Sequence, residues 1–222
     1  MNIAKSLSSL LLLGLSLVAA GPAAAVPSAE EVVRTTTDRT VERLRAQKSE
    51  LQAHPEKIYD LIHELVIPHF DFPSMSKWVL GSNWRTASDA QRQAFVDQFR
   101  TLLVRTYAKA LLEYSEEEIR FLRSEGNPES NVVIVKTEVD QPGGGPAVPI
   151  HYRMHISGGD WKVVDVSVDG VSLVSTYRGS FASEINKGGL DNLIAKLVDR
   201  NQKLALVSPD EAAADAEHTS SP

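Results

Sequence analysis

Cysteine is absent from all 222 positions. That excludes a disulfide-stapled scaffold, a thiolate metal site, a cysteine nucleophile and a lipid anchor on an N-terminal cysteine. A basic excess is also missing, since 23 Lys and Arg face 29 Asp and Glu for a formal charge of −6. A nucleic-acid binder would lean the other way. Past residue 25 no apolar run reaches the ~20 residues of a membrane-spanning helix. No internal repeat occurs, and no alternation of strands with helices points to a doubly wound sheet. What is present is a 42 % hydrophobic fraction. That argues against disorder of the whole chain and supplies a core for one mid-sized domain or two small ones.

The two ends read differently from the body. Residues 1–25 have the form of a cleaved secretory signal: Lys5, an apolar stretch from Leu7 to Ala20, and Ala23-Ala24-Ala25 before the cut. A cleavable leader implies export across a bacterial-type inner membrane to the periplasm. From Ser208-Pro209 to Pro222 the chain has no apolar period and carries four carboxylates, so 208–222 is expected to be a disordered acidic tail. Setting aside one Lys in the leader and those four carboxylates leaves a body, 26–207, at −3.

Along the body, Ser28-Ala29-Glu30-Glu31 is a capping box that opens a helix to about Gln52. Ile58, Leu61, Ile62, Leu65 and Val66 follow at helical spacing, and Pro68 stops them. Asp71 and Pro73 start a short helix closed by Gly81. Ser88-Asp89-Ala90-Gln91 caps the longest helix, about 26 residues or ~39 Å. Phe95, Phe99, Leu102, Leu103, Thr106 and Ala110 share one of its faces. The period then becomes two. Four strands at 118–123, 131–139, 148–156 and 161–168, joined by short Gly-rich turns, predict an antiparallel meander with one apolar face. Helical period returns at Leu173, breaks at Gly188-Gly189 and resumes to Val198. The class is α+β, with helices packed on a four-stranded antiparallel sheet.

Catalytic and metal signatures are weak. Ser74-Met75-Ser76-Lys77 matches a serine–lysine motif but lacks its S-D-N and K-T-G companions. His151 and His155 lie ~13 Å apart along a strand, too far to share a metal ion. His63 and His69 lack an H-E-x-x-H frame. Gly170-Val171-Ser172 is half a nucleophile elbow, and Gly143–Gly145 is a hairpin turn without P-loop residues. Asp165 and Tyr107 are the remaining candidates for proton transfer, as in isomerase-like folds with a carboxylate and a tyrosine inside a helix-backed sheet. The wide apolar stripes on the long helix and on strand 148–156 either pack on each other as ordinary core or stand slightly apart as a carrier's lining.

Leu80-Gly81 with Trp84, Gln91-Arg92, Phe95, Leu102-Leu103 to Thr106-Tyr107, and Leu112 to Ser115 together resemble the MlaC family. So do Asp165-Val166, Gly170-Val171-Ser172-Leu173-Val174, Tyr177-Arg178 with Phe181, and Gly189-Leu190 with Leu193-Ile194. The resemblance covers about 28–204. It implies a periplasmic phospholipid-binding protein of the toluene-tolerance auxiliary kind. Helices and a curved antiparallel sheet would enclose a deep apolar pocket for acyl chains. The phospholipid would be cargo, with no cofactor and no catalytic residue. The partners implied are an inner-membrane ABC transporter with an MCE-domain ring and an outer-membrane lipoprotein–porin complex. On the helix and strand faces the expected lining is Phe95, Phe99, Leu103, Tyr107, Tyr152, Met154, Val164, Val166, Leu173, Val174 and Tyr177. Arg153 and Arg178 are either head-group contacts at the mouth or ion-paired surface arginines. A chaperone or lipoprotein carrier of the periplasm would need a similar apolar concavity.

Overall fold

A computed structural model describes residues 27–127 and 131–206, so the expected leader and acidic tail lie outside the described residues. Helix α1 (Ala29–Ala46) is capped by Ser28, whose side chain accepts from the Glu31 N–H at 3.1 Å. Acidic residues fill its first turn and Arg43 and Arg45 its last, both favourable to the helix dipole. The single helix expected to Gln52 breaks at Gln47, and α2 (Lys48–Ala53) continues beyond it. Helix α3 (Lys57–Leu65) runs into a single 3-10 turn over Ile67–His69. Helix α4 (Phe72–Leu80) starts on Asp71 and ends on Gly81, and one unforeseen turn, α5 (Asn83–Thr86), leads to the long α6 (Asp89–Glu113). Both arms of the α6 capping box form, Gln91 N–H to Ser88 Oγ at 3.2 Å and Ser88 N–H to Gln91 Oε1 at 2.9 Å.

The sheet has six strands rather than four. Strands β1 (Ile119–Phe121) and β2 (Glu125–Asn127) both pair with β3 (Val132–Val139). Then follow β4 (Val148–Ser157), β5 (Asp160–Val168) and the two-residue β6 (Val171–Ser172), every pair antiparallel. The expected strand 118–123 is too short to satisfy the eight-residue edge of β3. The segment expected as a turn after it therefore returns to the same edge, with Glu125 opposite Ile134. The meander itself, β3 to β5, stands as expected.

One irregularity in β5 organises the interior. Met154 pairs with Val163 and Arg153 with Asp165, so Val164 is an extra residue in the strand. Val163 packs with Val133, Val135, Met154 and Trp161 under Ala29 and Val33 of α1. Val164, fully buried, turns instead into the helical core with Phe72, Met75, Phe95 and Phe99. A single strand thus serves two cores.

Helix α6 is apolar around much of its circumference and needs cover on two sides. Phe95, Phe99, Leu102 and Leu103 meet α4 and α7 (Leu173–Leu206), while Val104 and Ala108 join Leu44, Leu51, Ile58, Leu61 and Ile62 of α1 to α3. The face expected as one broad stripe is two, and Leu111 on it is exposed. Helix α7 is sharply broken at Gly189, where φ is 80° and ψ 174°, so two arms fold against α6.

Asp71 joins the layers. Its N–H donates to the Val163 carbonyl at 2.9 Å, Oδ1 accepts from the Ser74 N–H at 2.9 Å, and His155 Nε2 lies 2.8 Å from Oδ2. Burial alone raises the carboxyl pKa, but the bonds from the Ser74 backbone, His155, the Ser74 hydroxyl and Ser157 outweigh it and hold the pKa below the usual range. A folded-state pKa that is depressed contributes stability above the unfolded value and loses it as pH falls through the folded one. Asp71→Asn keeps an N-cap but not the charge. Its deficit against the wild type in urea unfolding is therefore expected at neutral pH and should shrink below pH ~4. Separately, Gly81 closes α4 at φ 56°, and a Cβ there would sit 3.2 Å from an Arg178 guanidinium nitrogen. Gly81→Ala should cost about 1–3 kcal/mol in the same assay.

Candidate functional site

Four rings join α6 to the first arm of α7. Phe95 stacks on Phe99 at 5.7 Å, Phe181 stands edge-on to both at 5.8 and 6.0 Å, and Tyr177 meets Phe99 at 5.3 Å. Each contact of this kind adds about 0.5–1.5 kcal/mol beyond area burial. The second arm, turned back by Gly189, brings Leu193 and Leu197 to the same junction. Where the rings end, a crevice of ≈ 270 Å³ remains, walled by Tyr107, Tyr177, Phe181, Leu193 and Leu197 and rimmed by Thr176, Ser180, Glu184, Lys196 and Arg200. Glu184 on the first arm contacts Lys196 on the second and lies 3.2 Å from Lys187. These hydrogen bonds hold its pKa below the usual glutamate range. Burial pushes the Tyr107 phenol strongly up, with neighbouring Tyr177 adding to the effect, and Tyr177 is raised by burial as well. Both phenols therefore stay protonated through the physiological range.

The expected lining divides among several places. Tyr107 and Tyr177 wall the crevice. Phe95, Phe99, Leu103, Val164 and Val174 are buried core beside it, and Leu173 is half-buried at the head of α7. Tyr152, Met154 and Val166 belong to the cluster under α1, across β5 from the crevice residues. Arg178 packs over Gly81 and Arg153 stands opposite Asp165 in the register of β4 and β5, both exposed and neither on the crevice rim. The basic groups on the rim are Lys196 and Arg200. The expected lining left out these two with Phe181, Leu193 and Leu197, although Phe181 and Leu193 are among the residues that carry the resemblance. Their four-residue spacings were visible as helix faces, but not the fold-back that makes two faces confront each other.

Asp165 acts as a cap. Oδ1 accepts from the Val174 N–H at 3.1 Å and Oδ2 from the Ser172 hydroxyl at 2.6 Å, while Ser172 Oγ accepts from the Ser175 N–H. A second groove, ≈ 450 Å³, lies between α1 and the approach to β1. Thr37, Asp38, Glu42, Arg45, Glu117 and Glu118 line it, with Val41 and Ile119 as its apolar wall. Its four carboxylates outnumber its one cation, Arg45, so it is a poor match for an anionic head group. Among the described residues no group of three or more His, Asp or Glu is placed to hold a metal ion, and no helix is long and apolar enough to cross a membrane.

The sequence model of the MlaC protein family matches residues 34–199, three quarters of the chain. This chain belongs to the MlaC family. A toluene tolerance protein, ttg2D, from Pseudomonas putida is 29% identical over 170 residues, covering 75% of this chain and 77% of that protein. The intermembrane phospholipid transport system binding protein MlaC of Haemophilus influenzae is 24% identical over 168 residues, covering 75% and 78%. A solved structure of the phospholipid-binding protein from Ralstonia solanacearum, in complex with a phospholipid, superposes with a TM-score of 0.74. That likeness has 29% identity and covers 81% of this chain and 99% of the other. In this MlaC-family chain the fold therefore follows the family, and the role of Asp165 can be tested directly. Asp165→Ala should lower unfolding free energy by about 1–3 kcal/mol, because it strips the head of α7 of a buried acceptor.

Proposed function

We propose that this protein is a periplasmic phospholipid carrier that shelters acyl chains between α6 and the two arms of α7. The observation that carries the reading is the crevice of Tyr107, Tyr177, Phe181, Leu193 and Leu197, apolar within, with Arg200 and the Glu184–Lys196 pair at its rim. Membership of the MlaC family and the phospholipid held by the Ralstonia relative support it. Each buried methylene is worth ~0.8 kcal/mol, so lipid tails do not travel bare through water. A protein interior that matches the bilayer for the tails leaves exchange nearly balanced, and no catalytic group is needed.

At ≈ 270 Å³ the crevice lies just under the ~300–1,000 Å³ of sites that enclose small ligands, so two acyl chains enter only when α7 parts from α6. The break at Gly189 gives the arms separate movement, and the exposed Glu184 contacts that tie them are of the weak, surface kind. On the family resemblance, the lipid passes between an inner-membrane MCE-domain ABC transporter and an outer-membrane lipoprotein–porin complex, sustaining outer-membrane lipid asymmetry.

Native mass spectrometry of protein purified from its own periplasm should find stoichiometric phospholipid. Ser180→Trp places a large ring at the exposed mouth and should lower that occupancy several-fold while changing stability by no more than about 0.5 kcal/mol. Protein that arrives empty and takes up no lipid from phospholipid vesicles would sink the reading.

A further inference from the structure

Inside its polar rim the crevice is largely apolar, and beside it three hydroxyls gather. Tyr107 of α6 and Tyr177 of α7 stand phenol to phenol, and the Thr106 hydroxyl adjoins Tyr177. Thr106 is 6% exposed, and its Oγ1 makes no hydrogen bond of acceptable geometry. A buried hydroxyl without a partner is costly, and native proteins keep few of them. Each hydroxyl carries one hydrogen and can accept two, so with Tyr107 and Thr106 both turned to the Tyr177 oxygen, the Tyr177 hydrogen is left to donate. The group is thus neutral and keeps one hydrogen to donate, beside the apolar crevice that Tyr107 and Tyr177 line.

We infer that Tyr107 and Tyr177, backed by Thr106, hold the ester carbonyl of the bound lipid and make the site selective for ester-linked over ether-linked chains. The inference rests on the carrier reading and deepens it. A carbonyl oxygen is the acceptor that fits: it is neutral, accepts two hydrogen bonds, and sits where glycerol meets hydrocarbon. A phosphate is the poorer match at this depth, since a charge taken out of water needs a charged partner. The charged side chains stand on the rim, Arg200 and the Glu184–Lys196 pair. Raised phenol pKa values agree, because both groups remain donors rather than phenolates. An ether lipid presents the same chains and phosphate but no carbonyl, and it leaves the donors unanswered.

The full-length secreted protein, incubated with vesicles holding equal amounts of dipalmitoyl phosphatidylglycerol and its dihexadecyl ether analogue, is read by native mass spectrometry as the ratio of the two bound lipids. The wild type should favour the ester about tenfold, the worth of one buried hydrogen bond. In Tyr107→Phe/Tyr177→Phe the ratio should fall to within about twofold of unity. Thr106→Val, which removes only the orphan hydroxyl, should narrow it part of the way. Because the wild-type ratio needs no variant to fold, the test survives an unstable double variant. Equal binding of both lipids by the wild type overturns the inference and leaves the carrier reading standing. Uptake of neither overturns both. An unchanged preference in the folded double variant shows that other groups read the carbonyl.

Discussion

The aromatic junction between α6 and α7 is the interaction on which the rest of the molecule depends. Phe95 and Phe99 are wholly buried, and Tyr177 and Phe181 close on them from the first arm of α7. Rings are rigid and bulky, so they set the distance between the two helices at a value that aliphatic side chains would let relax. Beside them Tyr107, Leu193 and Leu197, packed in the same cluster, also line the crevice. The crevice is the geometric remainder of the junction.

That junction holds only because α7 is anchored at its head, and the anchor comes from the sheet. The extra residue in β5 turns Val164 toward the helices and leaves Val163 under α1, binding one strand into both cores. Immediately after it, Asp165 accepts from Ser172 and Val174 and sets where α7 begins. Asp71 ties α4 to β4 and β5 in the same region. Three polar or irregular features, none of them at the crevice, therefore decide its position. This is the usual division between a rigid support and a site built on it.

Much of the fold was legible. Capping residues at Ser28, Asp71 and Ser88 open helices where local chemistry says they should, and the period-two run of β4 reads directly as a strand. The departures have local causes. Gln47 interrupts a continuous helical pattern, β2 hides in a Gly-Asn segment that looks like a turn, and α5 is a single turn without a periodic face. The site was legible only in part. Tyr107 and Tyr177 were visible from their helix faces, yet so were Phe95, Phe99 and Val164, which proved to be core. Tyr152, Met154 and Val166 lie in a different cluster altogether. Arg178, adjacent in sequence to a crevice residue, points to α4 because successive helical positions diverge by a hundred degrees or so.

The chain alone determined the α+β class, the helix and strand periods, the glycine at which α7 breaks and the absence of cysteine chemistry. Each follows from interactions within a few residues, or from composition. Tertiary structure decided which apolar faces touch and which stand apart. Periodicity records that a face avoids water, not what it meets instead. Close packing on one side of Tyr177 and an open crevice on the other are written by the same kinds of residue. The difference comes from the spacing that the four rings impose and from the direction in which Gly189 returns the chain.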